Sequence, residues 1–229
     1  MLSEIFKLFW KTVERKDKRR INSQTSPTEI EQFCDIQYID DGLWQHRLDV
    51  YSKSGKLSHR PVIIDIHGGG WMYGTKEINK NYCLVLAQND YVVVNINYRL
   101  APDFSVADQL RDCFSAFKWV STNIEKYGGD LNNVFVTGDS AGGFLAAYSA
   151  LLNSSEKLRK IFGVTESGLE FRACGLTSPV CFMNTHTFQD VYYSRVKGKE
   201  FSESTLRGFE NFDAVLNKGS MPPTFLVTS

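Results

Sequence analysis

The chain lacks the patterns that mark membrane-spanning, disulfide-stapled and nucleic-acid-binding proteins. No apolar run approaches the roughly 18–20 residues that a spanning helix needs. The five cysteines, Cys34, Cys83, Cys113, Cys174 and Cys181, are odd in number and form no C-x-x-C pair. That argues against a disulfide framework or a zinc site and favours a reducing compartment. Net charge is also lacking: 26 basic residues balance 26 acidic ones, which argues against nucleic acid as the main partner. The N-terminus does not have the order of a signal peptide, because its basic cluster follows the apolar stretch instead of preceding it. A cytoplasmic location is the expectation. There is no internal repeat, and histidine is scarce, at four residues.

What remains is ordinary for a soluble globular protein: 229 residues, 42% hydrophobic and 23% charged. That length suits one α/β domain with a sizeable core. Leu2, Ile5, Phe6, Phe9, Trp10 and Val13 fall on one helical face, followed by six basic and two acidic residues from Lys11 to Arg20. An interfacial membrane helix has this composition. An amphipathic helix docked on the protein body, with a solvated basic end, is the favoured reading. Residues 22–28 read as a linker. From residue 61 onward, strand and helix patterns alternate. Strands are expected at 61–66, 91–96, 133–137, 171–177 and 224–228, with two short ones earlier at 35–40 and 47–51. Helices are expected at 77–88, 105–126 and 141–152, while 153–160 reads as polar. The alternation predicts a largely parallel sheet covered on both faces, with ligands bound at the carboxyl ends of its strands.

Two glycine-rich turns follow expected strands. Gly138-Asp139-Ser140-Ala141-Gly142-Gly143 has strand, sharp turn and helix around a G-x-S-x-G string, the context of a nucleophile elbow. His67-Gly68-Gly69-Gly70-Trp71 breaks a buried strand with three consecutive glycines. These cost conformational entropy unless a backbone must approach something closely and aim its N–H groups. Acyl transfer needs a nucleophile, a base, a group to orient the base, and oxyanion donors. Ser140 is the nucleophile candidate, and the N–H groups of Gly69, Gly70 and Ala141 are the donor candidates. His67, Gly68 and Asp139 read as structural support. His46 and His59 read as surface groups, and Asp112 as a residue that anchors a loop or faces solvent.

These two turns, with Asn97-Tyr98-Arg99-Leu100-Ala101-Pro102 between them, resemble the hormone-sensitive-lipase-like esterases of the α/β-hydrolase fold. The resemblance covers about residues 36–229 and departs after Pro102, where the usual second proline is missing. It implies a mostly parallel sheet with a helical cap, hydrolysis of small carboxylic esters, and no cofactor or metal. It divides the chain into an N-terminal helix and cap segment, 1–34, and a hydrolase domain, 35–229, with a cap insertion at about 182–217. The family's triad runs Ser, acid, His. By the resemblance, the acid and the His fall beyond Ser229, so a C-terminally truncated esterase lacking its final strand and helix is expected. His186 alone follows Ser140 among the histidines and reads as a polar cap residue, as do Asp190 and Asp213. A related amide or peptide hydrolase, and a catalytically dead ligand-binding module, stay open beside the esterase.

Overall fold

Two antiparallel strands feed a run of five parallel ones. The computed structural model describes residues 2–55, 59–183, 189–203 and 206–228. Its strands are β1 (Ile30–Gln37), β2 (Arg47–Lys53), β3 (Arg60–Ile66), β4 (Val92–Ile96), β5 (Gly129–Asp139), β6 (Phe171–Thr177) and β7 (Thr224–Val227). Among the described residues they form one sheet in the order β1-β2-β4-β3-β5-β6-β7. The β1–β2 and β2–β4 pairs are antiparallel, and every pair from β4 across to β7 is parallel. Parallel strands must be covered on both faces. Alternation along β4 shows how: Val92, Val94 and Ile96 join the main core, while Val93 joins a smaller cluster with Tyr51, Cys83, Leu84 and Ala87.

The helices are α1 (Leu2–Asn22), α2 (Lys80–Gln88), α3 (Val106–Asn123), α4 (Ala141–Ser154), α5 (Glu156–Phe162), α6 (Gln189–Glu203) and α7 (Phe212–Leu216). Cys83, Leu84 and Ala87 place α2 over the smaller cluster, and α3 and α4 supply much of the main one. A capping box starts α3: Ser105 accepts from the Asp108 N–H, and Asp108 accepts from the Ser105 N–H. That satisfies two orphan donors at once. The stretch 153–160, expected to be merely polar, contains α5, capped by Ser155 and seated through buried Leu158 and Phe162. Two apolar anchors in seven residues are too few to register as periodicity.

Two further expectations shift. The first strand runs from Ile30 to Gln37, across the expected 34/35 boundary, with an irregularity at Asp35 where φ is 58°. The first helix continues through the basic cluster to Asn22. Phe9, expected on its docked face, is 56% exposed. Trp10, Val13, Asp17 and Arg20 define the inner face instead, and adjacent positions on a helix point about 100° apart. Among the described residues, no helix is long and apolar enough to cross a membrane. At the far edge β7 is exposed throughout, with Phe225 73% accessible. Beside it lies an apolar groove of about 350 Å³, floored by Phe135, Ala173 and Gly175.

Register places the chemistry. Ile66, the last residue of β3, lies opposite Ile96 of β4 and Gly138 of β5, and Asp139 lies opposite Thr177. The segments that follow, His67–Gly70, Asn97–Pro102 and Ser140–Gly143, therefore leave the sheet side by side at its carboxyl edge.

Candidate active site

Ser140 sits between the last residue of β5 and the first of α4 at φ 50°, ψ −113°. A non-glycine residue held at positive φ costs of order 1–3 kcal/mol and persists only where its surroundings impose it. Here the Ser140 N–H donates to the Thr177 carbonyl (2.9 Å), and the Ser140 carbonyl accepts from Phe144 (3.1 Å) and Val180 (3.2 Å). Small residues let the turn close. A Cβ on Gly142 would overlap the Ile66 carbonyl oxygen, and one on Gly138 would overlap the Gly142 carbonyl. Helix α4 thus starts against the end of β3, with its positive pole beside Ser140.

The second turn interlocks with the first. A Cβ on Gly68 would strike the Asp139 carboxylate. The Gly68 N–H donates to Asp139 Oδ1 at 3.0 Å, which also accepts from Asn79 Nδ2 at 2.9 Å. Gly69 and Gly70 have φ of 116° and 58°. Their N–H groups donate to nothing among the described residues. The N–H of Ala141, in the first turn of α4, has no partner within the helix either. Gly68, Gly69, Gly70 and Ser140 line one cleft of about 400 Å³, so the two turns meet as their strand ends required.

His67 is buried and supports the loop from below. Its Nδ1 lies 2.7 Å from the Gly68 carbonyl, and its ring stacks on Tyr98 at 4.4 Å. Burial pushes its pKa down to about 4, against the opposing pull of Gly68 and Asp139. The neutral ring must therefore carry its proton on Nδ1, because a carbonyl only accepts, and Nε2 has no partner among the described residues. Tyr98 in turn donates to the His67 carbonyl (2.7 Å), while the Trp71 carbonyl accepts from Ala101 N (2.8 Å) and Gln109 Nε2 (2.9 Å). The 97–102 segment is thus the scaffold on which the glycine turn rests.

Arg99 fixes that scaffold to α3 through a forked pair with Asp112: Nη2–Oδ1 at 2.7 Å and Nε–Oδ2 at 2.9 Å. The structure corrects the surface assignment of His46. It is buried between Asp41 (Nδ1–Oδ2, 2.7 Å) and Asp112 (Nε2–Oδ1, 3.2 Å). A carboxylate buried in α3 needs donors from outside its helix, and His46, just before β2, is one. Burial alone would push the imidazole pKa down, but the bonds and charges of Asp112 and Asp41 outweigh it and hold it above its ordinary value. His59 is exposed, as expected. Asp190 and Asp213 are exposed on α6 and α7, and His186 lies outside the described residues.

Several residues of the cleft were not assigned to it from the sequence. Trp10, Val13, Asp17 and Arg20 of α1 form its wall. Trp10 stacks on Tyr73 at 5.2 Å, and the Tyr192 hydroxyl of α6 donates to the Gly70 carbonyl. A Cβ on Gly70 would meet both Tyr192 and Trp10, so two helices from outside the sheet close on one peptide. The stripe in α1 was legible, but the surface it docks on was not. Asn79 is a further case: its Nδ2 bridges Asp139 and Asp65, the latter at 3.0 Å.

Burial pushes Asp65 up to about 7, Asn79 pulls the other way, and the Asp139 charge adds to the rise. A carboxyl with a raised folded pKa favours the fold below its unfolded value near 4, and that contribution is lost as pH climbs through about 7. Wild-type stability should therefore decline between pH 4 and 7. Asp65→Asn should flatten the decline and, at pH 8, exceed wild type by on the order of 2 kcal/mol. Urea unfolding at pH 5 and pH 8 measures this, and an unchanged slope in the variant would remove Asp65 as its source.

Residues 48–191 match the family model described as BD-FAE. The chain belongs to the BD-FAE family. Its α/β-hydrolase fold is shared with esterase B of Lactobacillus rhamnosis in a form inhibited by a tributyrin phosphonate. That structure superposes on this BD-FAE chain with a TM-score of 0.91 at 31% identity, covering 98% of this chain and 73% of that one. Versiconal hemiacetal acetate esterase of Dothistroma septosporum is 36% identical over 112 residues, 48% of this chain and 33% of that protein. Isoprenylcysteine alpha-carbonyl methylesterase of Arabidopsis thaliana is 28% identical over 192 residues, 80% of this chain and 45% of that protein. The matches therefore span less than half the length of these two curated relatives.

Proposed function

We propose that this BD-FAE chain carries the nucleophile and oxyanion-binding half of a carboxylic ester hydrolase. Ser140 attacks the ester carbonyl carbon through Oγ. The oxyanion is received by the N–H groups of Gly69, Gly70 and Ala141, each such donor being worth about 3 kcal/mol of transition-state stabilisation. The C–O bond to the alcohol breaks, the alcohol departs with the proton given up by Ser140 Oγ, and the acyl group stays on Ser140 until water takes it as the carboxylic acid and returns a proton to Oγ. The observation that carries this reading is Ser140, held at positive φ, in one cleft with Gly69 and Gly70, whose N–H groups have no acceptor among the described residues. The cleft volume suits small or medium acyl chains, in keeping with the tributyrin phosphonate on esterase B. In this reading α1 and the α6–α7 region, within 1–34 and 182–217, act as the cap.

A ligand-binding module without turnover is the second reading. It is favoured by one observation: no histidine or carboxylate hydrogen-bonds to Ser140 Oγ among the described residues. Reaction with a fluorophosphonate, followed by peptide mass mapping, separates the two. Labelling confined to the Ser140 peptide and abolished in Ser140→Ala supports the hydrolase. p-Nitrophenyl butyrate hydrolysis that persists in Ser140→Ala removes Ser140 from its role. Binding of a butyrate ester with neither adduct nor product release favours the module. The same assay with a p-nitroanilide tests amide cleavage.

A further inference from the structure

Helix α1 has two working faces, and the cleft accounts for only one. Trp10, Val13, Asp17 and Arg20 line the cleft. Away from that wall Leu8 is 68% exposed, and Phe9, whose ring meets the edge of Trp10 at 5.0 Å, still leaves 56% of its surface to solvent beside it. Lys11, Arg15, Lys16, Lys18 and Arg19 follow, all exposed. From Leu8 to Lys18 this face runs about 15 Å along the axis. Glu14 and Asp17 are both engaged, with Lys18 at 2.7 Å and Arg20 at 3.2 Å. The helix as a whole holds seven basic and three acidic residues, while the rest of the chain holds nineteen and twenty-three. A neutral protein is thereby divided into a cationic helix and an anionic body. Such a separation orients the molecule in the field of a charged surface.

We propose that the outer face of α1 is a peripheral docking element for an anionic phospholipid bilayer. Leu8 and Phe9 enter the boundary between headgroups and acyl chains, and the basic residues lie among the anionic headgroups. Exposed apolar side chains followed by cations match that layered partner. A nucleic acid or an acidic protein would use the cations but give Leu8 and Phe9 no apolar phase to enter. Docking in this orientation leaves the inner face of α1 as the cleft wall and brings the cleft close to the lipid surface.

Co-sedimentation of the full chain with large unilamellar vesicles tests the proposal. Binding is expected to vesicles of phosphatidylcholine mixed with phosphatidylserine, to weaken as salt rises, and to be far weaker with phosphatidylcholine alone. Leu8→Ser combined with Phe9→Ser should lower the partition coefficient at least about tenfold. Replacing Lys11, Arg15, Lys16 and Arg19 by Gln should lower it at least about tenfold as well. All six positions are exposed, and the thermal unfolding transition, expected near that of the wild type, serves as the control for folding; Leu8→Ser alone, which leaves the Phe9–Trp10 contact in place, should still weaken binding to the mixed vesicles. Three results would overturn the proposal: no binding at low salt, equal binding to both vesicle types, or binding that responds to the charge variant but not to the Leu8 and Phe9 variant. The last would mark α1 as a general polyanion site, and heparin would then compete with the vesicles.

Discussion

Gly142→Ala should lower the melting temperature by about 6–12 °C, corresponding to a loss of about 3 kcal/mol. The sign is the informative part. In an open helix the same change is favourable, because alanine is the better helix former by about 1 kcal/mol. At position 142 the new methyl group would overlap the Ile66 carbonyl oxygen and press on that of His67. Both belong to the end of β3 and the start of the glycine turn, so no flexible side chain can give way. Helix α4 would have to lift from the sheet, carrying Ala141 and the Ser140 turn with it. Gly42→Ala is the contrast: its φ is 80° but a Cβ there has nothing within 4 Å, so only backbone strain of about 1–2 kcal/mol applies. Thermal denaturation followed by circular dichroism compares them. Melting of Gly142→Ala within about 2 °C of wild type would show that α4 does not start against the strand end.

Asp112→Ala should cost about 3–5 kcal/mol, the usual consequence of removing one member of a buried ion pair and leaving the other stranded. Asp112 is 1% exposed and accepts from the Arg99 N–H at 2.9 Å, from both ends of its guanidinium fork, and from His46. Its loss leaves Arg99 half-buried against Phe104 and removes a main support of the His46 charge. A second, independent readout follows. Burial then dominates at His46, so its pKa, followed by NMR, should fall from its raised value. In the wild type a raised folded pKa means that the His46 contribution is complete below its unfolded value near 6.5 and is lost as pH rises through the folded value. That pH dependence should be reduced in Asp112→Ala. An unmoved His46 titration would mean that Asp112 is not what holds the proton.

Much of this fold was readable because the parallel strands announce themselves. Phe171–Thr177 and the run ending at Ile66 are short apolar segments bounded by glycine, serine or proline, and they lie where the pattern put them. The elbow and the glycine turn were readable as a pair, since each follows such a strand and parallel strands end on one edge. His46 was misread because nothing local distinguishes a surface histidine from one buried between two carboxylates. Its partner Asp112 is 66 residues away on α3, and only the fold brings the two together. Asn79 and Tyr192 were missed for the same reason, and Trp10, though read on the docked face of its helix, was not placed at the cleft. Their roles are set by what they meet across the fold, and sequence periodicity reports the face a residue shares but not the surface that face will find.

The placement of α1 along the cleft has a thermodynamic corollary. One helix presents one side to the space above Ser140 and the other to solvent. An element held by a few side-chain contacts can detach locally without unfolding the sheet. Whatever binds the cleft only when α1 is seated meets an apparent affinity reduced by the unseated fraction. By linkage, a ligand on either side that prefers the seated helix strengthens binding on the other side by the same factor. The two faces of α1 are therefore coupled through its docking equilibrium, even where nothing that binds one face touches what binds the other.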